Sequence, residues 1–440
     1  MKKTPCSFLT KTKNIPRSAV IWNAVSACLT SFQTMLLLMV LTHFGTPEHS
    51  GYFVMAYTAA NLLMHLGKFG MRQYQVTDAG NKYTFREYVS SRFFSTGLMA
   101  AALVLYLLWA LLFNGYTAEK AIVVALITFY RGVEAAEDVF HGRLQQRGRL
   151  DAAAKILALR SAAFILGFAA LYLLTKDLIL TCAVNAAVTL VLALALNQSV
   201  LPLARSEEDT AVQNPEPEKA DRSKVKKLLL ECLPLCLTMV TYMYLGNAPK
   251  YIIDGLVSDA VQTRFNIVIM PAFVGSLLCS FIFNPVLKRI GDLWQRRETG
   301  ALRKLTRKLV LVPVAVDAAL LLGGWFLGLP ILSKVYGVDL TGYRTTLMLF
   351  LLASGAIAML NLFVALLTAM RKQRHLLYAY AASSLLLLLG GRPLFNAWGL
   401  NRLCAAYLAV LLGVLAWCVG VYWRTIRRTE TVSPVFESED

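Results

Sequence analysis

Apolar residues along this chain fall into long unbroken runs. Strand alternation and the one-sided stripes of soluble helices are both rare. Twelve runs stand out, at approximately 18–42, 50–70, 93–113, 118–140, 155–175, 178–203, 228–248, 263–284, 308–329, 344–370, 376–396 and 401–424. Each approaches or exceeds the roughly 20 residues that an α-helix needs to cross a hydrocarbon core about 30 Å thick. A bilayer offers no water to the backbone, so spanning segments are helices or closed barrels. The pattern therefore predicts an all-α integral membrane protein with about 12 transmembrane helices. The fourth run carries charges and is the least hydrophobic.

The longest polar break is the charged, Pro-containing stretch 205–227. Such composition reads as a flexible cytoplasmic linker. It separates an N-terminal six-helix lobe, 1–204, from a C-terminal six-helix lobe with a tail, 228–440. Two lobes around a central cavity are a common transporter plan. No residue-level repeat between the halves accompanies this symmetry. The segment 288–308, KRIGDLWQRRETGALRKLTRK, has helical spacing and a basic face, which predicts an interfacial amphipathic helix.

Composition fits this picture: 57% of the 440 residues are hydrophobic and 16% are charged. The first apolar run is too long for a signal-peptide core, so a cleaved leader is not expected. The eight cysteines lie mostly inside apolar runs without metal-type spacing, which suits reduced, buried thiols. A net charge of +18 would ordinarily raise a nucleic-acid role. Its placement argues otherwise. With the N-terminus in the cytoplasm, 33 of the 44 Lys and Arg fall on the cytoplasmic side of alternating loops. That asymmetry is the positive-inside rule, with contact to anionic lipid heads. It places both termini in the cytoplasm of a multi-pass protein of the plasma (inner) membrane and leaves no call for nucleic acid.

Charged groups inside a membrane helix cost a few kcal/mol each and by default mark function. The second run places Tyr57, Asn61, His65, Lys68 and Arg72 within an arc of about 80°. A polar stripe there faces water or another helix; the structural alternative is snorkelling of Lys68 and Arg72 to lipid phosphates. The fourth run puts Arg131, Glu134 and Asp138 on one face, as a charged cavity wall or as an intrahelical ion-pair ladder. Glu137 points elsewhere and has Arg160 as a candidate partner. In the second half, Lys250 and Arg264 lie near the outer face, where interface snorkelling is the plain alternative. Asp317 lies near mid-membrane after Pro313, where it serves equally as a hydrogen-bonding group. Pro234, Pro271 and Pro313 suggest bendable helices. No catalytic constellation, metal-ligand spacing or phosphate-binding glycine loop stands out, so no cofactor is expected and ATP hydrolysis is not predicted.

The runs NLLMHLGKFGMRQYQVTD (61–78), YRGVEAAEDVFHGRLQQRGRLD (130–151), NAPKYIID (247–254) and MPAFV (270–274) occur in that order. Together they resemble the polysaccharide-transport branch of the multidrug/oligosaccharidyl-lipid/polysaccharide exporter superfamily, the O-antigen and capsule repeat-unit flippases. The resemblance implies alternating access and an undecaprenyl-pyrophosphate-linked oligosaccharide as substrate. By analogy Lys68, Arg72, Arg131 and Arg264 would hold the pyrophosphate. Tyr57, Asn61, His65 and Lys250 complete the candidate substrate-binding set. Glu134, Asp138 and Asp317 are the candidates for ion coupling. A polysaccharide polymerase or another assembly protein is the partner class implied, besides membrane lipids. Two rivals stand beside this reading. A drug/cation antiporter of the same superfamily should want an acidic cavity, and the stripe is basic. A membrane enzyme of polysaccharide assembly (polymerase, ligase or acyltransferase) usually needs a large outer loop, and none exists.

Overall fold

The computed structural model describes residues 7–78, 82–204, 221–283 and 286–432. Its described residues are all helical or irregular, as the apolar runs require. By internal contacts the chain divides into Met1–Met243 and Tyr244–Asp440.

The first unit contains α1 (Ile15–Phe44), α2 (Pro47–Lys68), α3 (Phe85–Phe113), α4 (Ala118–Gln146), α5 (Leu150–Thr175) and α6 (Leu178–Ala204), and most of α7 (Arg222–Ile253). Local chemistry fixes the starts. Asn14 and Thr46 accept from the backbone N–H of Arg17 and His49, and Pro16 and Pro47 occupy first-turn positions where no donor is lost. Thr84 and Glu87 form a capping box at α3, with Thr84 N–H donating to Glu87 Oε2 at 2.7 Å. Thr117 caps α4 through the Lys120 N–H at 3.2 Å.

The second unit holds α8 (Asp259–Phe283), α9 (Thr299–Gly323), α10 (Arg344–Ala369) and the helical stretch Gln373–Val432. The stretch bends at Gly399, whose φ of 74° and ψ of −171° only glycine adopts readily, into α11 (373–398) and α12 (400–432). Beyond α9 the helix continues through a π-type turn, Gly324–Gly328, into Leu329–Tyr336. Helix α10 is the most buried of the unit's spans and packs against α8, α9 and the α11–α12 stretch. Ser354 Oγ donates to the Ala272 carbonyl at 2.6 Å, and Phe350 sits edge-on to Phe265 and stacked on Tyr407.

Among the described residues, nine helical segments are long and apolar enough to cross a membrane on composition alone. Counting the last as two across Gly399, and adding the more polar α2 and α4, gives about 12 membrane helices in an all-α protein.

Several boundaries correct the sequence reading. Helix α3 begins at Phe85, earlier than the apolar run, so Arg92 is a helical residue buried in the protein. The segment 288–308 is not one amphipathic helix. Leu287–Gln295 ends where Arg297 turns left-handed (φ 60°), and 299–308 opens the spanning helix α9. Most of the expected linker, 205–220, lies outside the described residues, while Arg222–Lys227 at its end are helical. Helices α8 and α9 continue through Pro271 and Pro313.

The polar stripe of the second helix is also divided. Helix α2 ends at Lys68, because Phe69 and Gly70 both take left-handed backbone (φ 52° and 64°). Arg72 therefore belongs to a separate short helix, Met71–Thr77. A Cβ added at Gly70 would lie 2.8 Å from Leu235 Cβ on α7. Gly70→Ala is expected to cost about 1–2 kcal/mol from backbone strain alone. A lowered melting temperature of the purified protein in detergent would show it; an unchanged one would mean that the turn is not fixed by this residue.

Candidate functional site

The first unit contains a buried charge network centred on α4. Helical periodicity carries Arg131, Glu134, Glu137, Asp138 and His141 into the packed interior of the unit, and all five are buried. Their partners come from five other elements. Glu134 receives Lys68 Nζ from α2 at 2.8 Å on Oε1 and Arg131 Nη1 from its own helix at 2.7 Å on Oε2. Arg160 of α5 approaches Glu134 Oε2 at 3.6 Å. The same Arg160 lies 2.5 Å from Glu137 Oε1, an approach made by charge rather than by an aligned N–H···O bond. Asn197 of α6 donates to the other Glu137 oxygen at 3.0 Å.

Asp138 is held separately. Arg72 Nη1 meets Oδ1 at 3.2 Å, and Arg92 Nη2 of α3 meets Oδ2 at 3.3 Å. Gln145 Oε1 accepts from Arg72 Nε and Nη2 at 3.2 and 3.0 Å. Arg92 Nη1 donates to the Gly67 carbonyl at 2.8 Å, and Ser95 Oγ donates to the same oxygen at 2.7 Å. That carbonyl lies in the last turn of α2, where helix termini leave acceptors without an intrahelical donor.

An aromatic wall flanks the network. The Arg131 guanidinium lies 4.7 Å from the Tyr57 ring centroid and 5.5 Å from that of Tyr130. Tyr130 stacks on Phe164 at 3.9 Å and bonds Gln33 through its hydroxyl at 3.0 Å. Such faces hold a guanidinium by its ring quadrupole while leaving some of its N–H groups to a carboxylate.

Charge and exposure are unevenly shared. Lys68, Arg72, Arg92, Arg131 and Arg160 oppose Glu134, Glu137 and Asp138, so two positive charges are left over. The side chains of Lys68 and Arg72 are 25% and 30% exposed, whereas Arg160 is fully enclosed. The surplus thus lies on the open side. Each carboxylate that Lys68 or Arg72 touches also has a more deeply buried cation of its own.

A second ionic group follows Arg72 in the chain. Tyr74 donates to Glu231 Oε2 at 2.5 Å, and Lys82 Nζ donates to both oxygens of Glu231 at 2.7 and 2.9 Å. Burial and then the contact with Glu231 push the Tyr74 hydroxyl up to about 12. The hydrogen bond with Glu231 likewise raises the Lys82 ammonium.

Of the residues singled out by sequence, Tyr57, His65, Lys68, Arg72, Arg131, Glu134 and Asp138 come together here. Asn61 contributes its carbonyl, which accepts from His65 Nδ1 at 2.8 Å. Arg131, Glu134 and Asp138 share a face without forming a continuous ladder, because Asp138 turns to Arg72 and Arg92. Glu137 meets Arg160 as its direction on the helix suggested. Lys250, Arg264 and Asp317 belong to the second unit, and no ion pair joins them to one another among the described residues. Lys250 is half-buried at the end of α7, with its carbonyl accepting from Gln262, and Arg264 is exposed on α8. Asp317 lies against Gly355 of α10, and its Oδ1 is buried without a hydrogen-bond partner. Arg92, Asn197 and Gln33 were missed by sequence reasoning. Arg92 lay just outside an apolar run, yet its spacing from Ser95, one turn on, was a visible signal.

No protein-family model matches the chain, and no curated protein matches it by sequence. Solved structures do. An inward-facing multidrug resistance MATE family transporter of the MOP superfamily superposes with a TM-score of 0.68 at 12% identity, covering 94% of this chain and 99% of that one. The chain has the fold of MATE transporters. The Vibrio cholerae MATE transporter VcmN in its bent form gives 0.60 at 12% identity, over 95% and 98% of the two chains. A MOP superfamily transporter from Pyrococcus furiosus gives 0.52 at 13%, over 98% and 99%. That protein is described as having a binding pocket of reverse polarity that suggests a different function. On this MATE-type scaffold the network around α4 is the main concentration of buried charge in the first unit, and its sign is cationic.

Proposed function

We propose that this protein is a transporter of an anionic substrate, and that the substrate is an undecaprenyl-pyrophosphate-linked oligosaccharide moved from the cytoplasmic to the outer leaflet. The observation that carries the reading is the cation surplus of the α4 network, with Lys68 and Arg72 as its exposed members. A pyrophosphate needs such groups, because charge-assisted hydrogen bonds replace the water it loses. Alternating access is the mechanism, and surface-polysaccharide synthesis is the process it would serve. The positive-inside pattern supports an inner-membrane location with both termini cytoplasmic. A polymerase or other assembly protein would take up the product.

The membrane potential assists this direction. Moving about two negative charges outward across an inside-negative potential of order 100 mV releases about 4–5 kcal/mol. Ion coupling is therefore not required by the energetics. Glu134 and Asp138 are already neutralised by protein cations, so we assign any coupled-ion role to Asp317 first.

A second reading is a drug/cation antiporter. Its support is the likeness to multidrug MATE transporters, together with the Asp317 carboxylate oxygen that lacks a hydrogen-bond partner. Reconstitution of the full chain in proteoliposomes separates the two. A fluorescent undecaprenyl-pyrophosphate oligosaccharide is expected to change leaflet at a rate well above that of protein-free vesicles, without efflux of a cationic dye. Dye efflux in the absence of lipid movement would overturn the anionic reading in favour of the antiporter.

A further inference from the structure

The second unit carries a concentration of charge of its own. A cavity of about 1130 Å³ opens between the Leu287–Gln295 helix, the α10–α11 turn and the end of α12. Five cations line it: Arg297, Arg371, Lys372, Arg424 and Arg428. No Asp or Glu does, and no carboxylate among the described residues pairs with Arg297, Arg371, Lys372 or Arg424. The opening lies on the side of the bundle that carries the basic loops.

The site is built rather than scattered. Arg297 and Arg371 both adopt left-handed backbone, with φ of 60° and 57°. Glycine takes that conformation at little cost and is the usual residue after a helix end. Here arginine occupies both positions, and both side chains are delivered to the same cavity. The aromatic residues are equally placed. Trp417 is half-exposed on α12 and packs against His375, with ring centroids 6.5 Å apart. Tyr378 lines the same wall from α11. Farther along α11, Leu385 and Leu389 are exposed on the same helical face as Tyr378.

The combination is a cationic basin, then an aromatic ring, then an apolar surface. A free anion would use only the basin. A membrane lipid would use all three levels: phosphate in the basin, glycerol at the aromatic level, an acyl chain along α11. Basic pockets at the cytoplasmic ends of membrane helices bind anionic headgroups, and Trp and Tyr favour the interface. The volume is above that of an ordinary small-ligand pocket, so a headgroup with two phosphodiesters fits. We infer that this cavity is a binding site for the phosphodiester headgroup of an anionic phospholipid of the cytoplasmic leaflet, distinct from the site proposed for the transported substrate.

The test is native mass spectrometry of the purified full chain, titrated with cardiolipin, phosphatidylglycerol, phosphatidylcholine or sodium pyrophosphate. Two triple variants are compared: Arg371→Gln/Lys372→Gln/Arg424→Gln in the cavity, and Lys304→Gln/Arg307→Gln/Lys308→Gln on α9 outside it. Both remove the same charge from exposed positions, and thermal melting confirms that each is folded. The wild type is expected to bind the anionic lipids at least tenfold more tightly than phosphatidylcholine. The cavity variant should lose at least tenfold of that affinity, and the α9 variant should stay within twofold of wild type. Equal losses in the two variants would overturn a local site. Pyrophosphate binding as tight as the lipids would overturn the lipid as its occupant. If the cavity triple fails to fold, Arg424→Gln alone should still lose about threefold, and no loss would count against the proposal.

Discussion

Replacing Arg160 with Met is expected to destabilise the protein by about 3–5 kcal/mol, the usual cost of removing one partner from a buried ion pair. Arg160 is fully enclosed and serves Glu137 at 2.5 Å and Glu134 at 3.6 Å. Methionine fills similar volume, so the loss is electrostatic rather than a cavity. The two carboxylates are not affected equally. Glu134 keeps Lys68 and Arg131, whereas Glu137 keeps only the Asn197 amide. Adding Glu137→Gln to Arg160→Met should therefore recover part of the loss, by about 1–3 kcal/mol of coupling. Melting of the single and double variants in detergent reads this directly. Strict additivity would mean that the Glu137–Arg160 contact carries no net energy.

The Lys68→Ala/Arg72→Ala double variant is expected to behave in the opposite manner. It should fold with a melting temperature close to wild type and lose transport of the pyrophosphate-linked lipid by a hundredfold or more. The structural half follows from redundancy. Without Lys68, Glu134 retains Arg131 and Arg160; without Arg72, Asp138 retains Arg92. The functional half follows from exposure, because Lys68 and Arg72 are the partly exposed cations of the network. Each charge-assisted contact to a phosphate is worth about 1.5–3 kcal/mol, so two together exceed a hundredfold. Initial flipping rates in proteoliposomes, with melting as the control for fold, decide the matter. Intact flipping in a folded double variant would remove the basic stripe from the mechanism.

How much of this was legible from the residues can be seen at single positions. Hydropathy located the spanning helices because water and lipid sort side chains by polarity over a whole 20-residue run, whatever packs against what. It missed Arg92 for the same reason: a run trimmed at its first charge ends before a cation that the protein interior accepts. Periodicity placed Glu134 and Asp138 on one face of α4. It was silent on the pairing of Asp138 with Arg72 and Arg92, since those residues come from other elements and only tertiary packing selects them. The break at Phe69 was equally hidden. A Phe with φ of 52° runs against local preference and is held there by its surroundings, including the Phe69–Met71–Val139 cluster.

The gathering of three carboxylates on α4, with most of their cations on other helices, has a consequence for how the protein is made. Neither α2 nor α4 is among the segments apolar enough to enter a bilayer on composition alone. Emerging from the ribosome by itself, α4 would present Glu134, Glu137 and Asp138 to lipid, at a cost of several kcal/mol. Lys68 and Arg92 have already been synthesised by then, but Arg160 has not. The helix thus reaches its lowest free energy in the membrane only after α5 follows it out. Integration of the first unit should proceed as a group of helices handed over together, with α4 waiting beside the translocation channel until its last counter-charge arrives.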